Sequence, residues 1–256
     1  MTISDYPTHF ETPEEAYFGF FEADASQNGD AWAAVMSYPH VRVAASGPTV
    51  YFVNARDYAD AADWTSRVAT GWVRTRGREP VRLHESAERV HLVGGWTRLN
   101  AEDEPILHNR VTYILTRPGS SWGIQARFAL GAYDGSDDEA ASRSAVEAAT
   151  ELVRRFYDGL AAGDAHACAR LCRYPLIDVG VGEVHRFEEG AELALDLERR
   201  KTAYGDVTVR AAQAGPDGVL VEVLTDHSPS GGEETVLVVG RWSGAWRIGG
   251  ISRIQN

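Results

Sequence analysis

Cysteine is scarce in this chain: its 256 residues hold two, Cys168 and Cys172. Two thiols make no disulfide framework, two ligands are too few for a structural zinc site, and a reducing compartment is the expectation. No run of 18 apolar residues occurs, so no helix is expected to span a bilayer. Met1 to Glu15 is polar and acidic, without the basic start and apolar stretch of a secretory signal, which points to a cytoplasmic protein. Positive charge is in deficit, with 25 Lys and Arg against 37 Asp and Glu and a formal net charge of −12. That balance argues against nucleic-acid and anionic-membrane partners, which need a cationic surface. No Gly-rich phosphate loop follows a strand, and no Gly-x-Ser-x-Gly elbow occurs. His84, His91 and His108 lack metal-site spacing. Neither a cofactor nor a metal is expected.

What the chain does have is a repeat. Gly29-Asp30-Ala31-Trp32 leads to Tyr38-Pro39-His40-Val41, and Gly163-Asp164-Ala165-His166 leads to Tyr174-Pro175-Leu176-Ile177. An aromatic pair precedes each, Phe20-Phe21 and Phe156-Tyr157. A Trp-x-Ile strand closes each, Trp122-Gly123-Ile124 and Trp246-Arg247-Ile248. A period this long is a duplicated domain rather than a solenoid repeat. The expected division is a first domain over 1–131, an acidic linker over 132–143 and a second domain over 144–256.

Within the first copy, Thr12-Pro13-Glu14-Glu15 opens a helix, Asn28-Gly29-Asp30 breaks it and caps a second, and Ala55 to Thr70 reads as a third. A Pro39-led hairpin and strands within 81–100, 107–117 and 122–130 complete it. The second copy repeats this order, with its third helix expected over Gly190 to Tyr204. Helices followed by a run of antiparallel strands make an α+β order. The expected architecture is two tandem cones, each a curved antiparallel sheet wrapped around three helices, with the ligand cavity between helix and sheet.

Helix, Gly-Asp turn, helix, Pro-led hairpin, third helix and closing Trp-x-Ile strand resemble the nuclear transport factor 2-like superfamily, which includes SnoaL-like polyketide cyclases and ketosteroid isomerases. The resemblance covers about 12–130 and 146–254. It implies pairing through the outer sheet face, here as an intramolecular pseudo-dimer in a monomeric chain. It also implies functional positions, and most depart from the isomerases. Their basic carboxylate falls near Val43 and Val179, which take no proton. Their first-helix tyrosine falls near Phe20, Phe21 and Phe156. Their second oxyanion donor falls on Tyr113 in one copy and Leu237 in the other.

Read as chemistry, a Tyr113 phenol on the inner sheet face either donates into a pocket or is satisfied within a packed core. Strand alternation puts Asn109 on the same face and Trp96 on the neighbouring strand's inner face. Trp32 is placed to roof such a pocket. His40 is either a general base or a tie for its loop. Tyr113 and His40 are thus the candidate catalytic residues, and Trp32, Trp96, Asn109 and Tyr113 the candidate binding residues. Arg42 and Asp178 occupy equivalent places with opposite charge, either as a salt bridge or as separate solvated groups. The function these features support is binding of a small, largely apolar molecule in the first cone. The alternatives are a cofactor-independent isomerase, cyclase or hydrolase, and a non-catalytic scaffold.

Overall fold

A computed structural model describes residues 7–136, 138–200, 205–227 and 231–255. Helix α1 (Pro13–Ala25) begins at a capping box in which Thr12 accepts from the Glu15 amide and Glu15 reaches back to the Thr12 amide. Asn28 caps α2 (Gly29–Ala34). Strands β1 (Met36–Ala44) and β2 (Val50–Phe52) form the hairpin. The expected third helix is two short ones, α3 (Ala55–Asp60) and α4 (Thr65–Val68). Its break lies at Asp63, whose carboxylate accepts from the Ser66 amide and starts the chain afresh. Then come β3 (Arg74–Gly77), β4 (Val81–Glu85), β5 (Arg89–Leu99), β6 (Pro105–Thr116) and β7 (Gly123–Tyr133).

The second half runs α5 (Glu139–Ala161), α6 (Ala165–Arg170), β8 (Cys172–Val179), β9 (Val184–Phe187) and α7 (Gly190–Arg200). It closes with β10 (Val207–Gly215), β11 (Gly218–His227), β12 (Gly231–Trp242) and β13 (Ala245–Gln255). The connector between β7 and α5 is shorter than the expected linker, and Asp137 within it lies outside the described residues. So do positions 201–204, the end of the third helix expected there. No helix among the described residues is long and apolar enough to cross a membrane.

The first sheet has the order β2-β1-β7-β6-β5-β3, with β4 also on β5, and the second β10-β11-β12-β13-β8-β9. Both are antiparallel except where the opening strand pairs with the closing one, β1 with β7 and β8 with β13. The repeat extends to single bonds. Tyr38 and Tyr174, each before a cis proline, donate through their hydroxyls to Ala33 O and Ala169 O at 2.8 Å.

Each sheet carries its helices on one face. The other faces meet in one apolar cluster, with Val41, Val43, Ile114 and Phe128 from the first and Ile177, Val179, Val236 and Val238 from the second. Both faces of both sheets are therefore covered, as in a sandwich. At one end the backbones touch: a Cβ on Gly240 would overlap the Ala45 carbonyl oxygen, and one on Gly218 the Ala45 methyl. Nearby, His84 and His91 of the first half meet Glu222 and Ser252 of the second. His84 Nε2 lies 2.9 Å from Glu222 Oε1, His84 Nδ1 2.9 Å from His91 Nδ1, and His91 Nε2 2.9 Å from Ser252 Oγ. Arg210 forks onto the same carboxylate.

Candidate functional site: an arginine-lined cone

The concave side of the first sheet, beneath α1 and α2, holds a cavity of about 310 Å³. Trp32, Trp96 and Asn109 line it, as their spacing predicts, alongside Phe20 and Val111. Tyr113 and His40 do not. Tyr113 is fully buried one strand register deeper, edge-on to Tyr17 at 4.9 Å, and its hydroxyl has no partner among the described residues. Burial pushes its phenol well above the ordinary range. His40 is sealed behind Phe52 and Tyr58 and donates through Nδ1 to Ile124 O at 2.8 Å. Burial, then Arg127 and Arg42, hold its imidazole well below its usual pKa. The bond ties β1 to β7, and His40 Nε2 has no partner among the described residues.

The apolar lining is joined by charge that the sequence reading did not place there. Four arginines enter it, Arg42, Arg67, Arg98 and Arg127, against one carboxylate, Asp24. Arg67 Nη1 donates to Asp24 Oδ1 at 2.5 Å. Arg42 and Arg127 stand side by side, because β1 and β7 pair in the register Arg42↔Arg127, and neither meets a carboxylate among the described residues. Aromatic faces hold them instead. The Arg42 guanidinium lies 4.6 Å from the Tyr58 ring centre and 5.3 Å from that of Trp32, and the Arg127 guanidinium 5.0 Å from that of Phe20. Burial, then Arg127, push Arg42 down to about 10. Burial, then Arg67, lower Arg98, which stacks over Trp96 at 4.9 Å.

Buried polar groups in native folds almost always find partners. Here Asp24 Oδ2, Trp32 Nε1, Arg42 Nε, Asn109 Oδ1 and Arg127 Nε are buried without one among the described residues, and all five residues line this cavity. The second half lacks this set. Asp178, equivalent to Arg42, bonds Arg200 at 3.1 Å and Arg253 at 2.6 Å and does not meet Arg42. Burial alone would raise its carboxyl, but the two arginines hold it below the usual range. Ile251 stands where Arg127 does, opposite Leu237.

The sequence reading missed Asp24, Arg67, Arg98 and Arg127 as site residues. A usable signal was present in Val41-Arg42-Val43 and Ala126-Arg127-Phe128. A single arginine between apolar residues in a strand points opposite to them, and if they face a partner sheet it faces the cone.

No protein-family model matches the chain, and no curated protein does. Solved structures similar to it include a nuclear transport factor 2-like protein of unknown function from Silicibacter pomeroyi, 19% identical over 43% of this chain and 94% of that one, with a TM-score of 0.34. A domain of unknown function with a cystatin-like fold from Nostoc punctiforme is 12% identical over 49% and 76%, TM-score 0.39. A putative ketosteroid isomerase from Shewanella frigidimarina is 18% identical over 42% and 94%, TM-score 0.34. Each half of this chain builds an α+β cone, a curved and largely antiparallel sheet with its helices on one face.

Proposed function

We propose that the first cone binds a small organic anion, a carboxylate on a compact apolar body. One observation carries this reading: Arg42 and Arg127 are neighbours on the cavity floor with no carboxylate between them. Unpaired guanidiniums present a fork of donors that matches a carboxylate. Phe20, Trp32, Trp96 and Val111 supply the apolar surface the sequence called for.

Titration calorimetry with benzoate and with benzyl alcohol separates charge from shape. Benzoate should bind at least tenfold tighter. Arg127→Met should weaken benzoate by at least tenfold. The same variant should raise unfolding stability by about 0.5–1 kcal/mol, since like charges on adjacent strands repel. Equal binding of alcohol and acid, or an Arg127→Met variant with wild-type affinity, would remove the reading.

A second reading, cofactor-independent acid–base catalysis in the same cavity, is favoured by Asp24. Its Oδ2 is buried, unpartnered and on the cavity wall. Wild type should then speed solvent deuterium into the carbon beside the keto group of phenylpyruvate, with Asp24 taking the proton, and Asp24→Asn should not. Identical rates in enzyme and buffer would eliminate catalysis of this kind.

A further inference from the structure

Resting on the anion reading, we propose that the ligand of the first cone is a dicarboxylate, with its two acids at opposite ends of a short flat body. The cavity has arginines enough for more than one negative group. Asp24 pairs with Arg67, and among the described residues Arg42, Arg98 and Arg127 hydrogen-bond no carboxylate. These three do not form one cluster. Arg42 and Arg127 are adjacent on β1 and β7. Arg98 is on β5, separated from β7 by β6. By register Arg98 lies opposite Leu107 of β6 and Arg127 opposite Tyr113, so at about 3.3 Å per residue they start roughly 20 Å apart at the backbone, and their long side chains reach this cavity from its two ends. A single acid seated on the Arg42–Arg127 fork leaves Arg98 with only the influence of Asp24, which already pairs with Arg67, whereas a second acid across the floor reaches it.

The surface between these ends is apolar and flat-sided. Val111 rises from β6 in the middle, Trp96 borders it on β5, and Trp32 covers it from α2. A cavity of about 310 Å³ has room for one ring and its two substituents. A phosphate monoester also carries two charges, but on one group, which suits one end only. The separation of the guanidiniums is what favours the dicarboxylate.

The test is titration calorimetry of the whole chain at one ionic strength with benzoate, terephthalate and phenyl phosphate. Terephthalate should bind at least tenfold tighter than benzoate, and tighter than phenyl phosphate. Arg98→Met should bring the ratio of terephthalate to benzoate affinity close to one, with its circular dichroism spectrum and melting curve confirming the fold. Equal wild-type affinities for benzoate and terephthalate would overturn the dicarboxylate and leave the anion reading standing. So would a terephthalate preference that survives Arg98→Met, or phenyl phosphate as the tightest of the three. Failure of all three to bind would overturn both.

Discussion

Between pH 6.5 and pH 4 the folded protein should lose about 3 kcal/mol or more of stability, because the His84–His91 pair between the halves is buried in its neutral form. The hydrogen bonds fix the protons. Glu222 accepts from His84 Nε2, so His84 Nδ1 must accept from His91 Nδ1, and His91 Nε2 must accept from the Ser252 hydroxyl. A second proton on His84 would set its Nδ1–H against the Nδ1–H of His91 across 2.9 Å. Burial, then Arg210, press His84 down to about 4, and burial, then His84, holds His91 well below the ordinary value. The sign follows. Below the ordinary histidine pKa the unfolded chain takes protons that the folded chain refuses, so stability falls with pH until each folded ring takes its own proton, near 4 for His84. The depressed carboxyls, Glu14 and Asp178, act in a lower window, below about 4. Urea midpoints at pH 7, 5.5 and 4.5 are the measurement. A midpoint unchanged over that span would contradict the neutral network.

Phe128→Ala should cost about 3–5 kcal/mol, in the range for emptying a large buried aromatic site. Phe128 is fully buried on the face of β7 that meets the second sheet. Its ring lies against the Gly250 backbone of β13, where even a Cβ would stand 3.1 Å away. Neither sheet can close the gap alone, since each is held by its own helices. Arg127, the preceding residue, faces the opposite way, into the cone. Benzoate affinity should therefore change much less than stability. Urea unfolding of the variant measures the cost, and a loss under 1 kcal/mol would mean that the sheets are not clamped at this point.

Much of the fold was legible because duplication supplies an internal control. Counting back from Trp122 and Trp246 puts Tyr113 and Leu237 at equivalent places, and they pair with the equivalent residues Arg127 and Ile251. Strand β3 was not legible: Arg74-Thr75-Arg76-Gly77 has no apolar alternation, and its pairing with β5 fixes it. The helix break at Asp63 was hidden by an alanine-rich stretch that favours helix on propensity alone. The cavity arginines were misread for a physical reason. A strand charge is normally assigned to a solvent face, and only the second half's cover over the outer sheet removes that option. His84 and Glu222, 138 positions apart, meet only in the folded chain.

The backbone contact at Ala45 makes the two halves non-interchangeable. By the shared register, Gly218 and Gly240 correspond to Arg89 and Thr116 in the first half, and Ala45 to Val181 in the second. One end of the pseudo-twofold is therefore closed by glycines. At the other end Arg89 and Val181 border a groove of about 760 Å³. Were the second half replaced by a second copy of the first, Ala45 would meet side chains where it now meets bare backbone. The contact closes such symmetric pairing to the first half with itself. The two halves are a lock and a key on one chain, so that losing either would leave the other without the face it now meets.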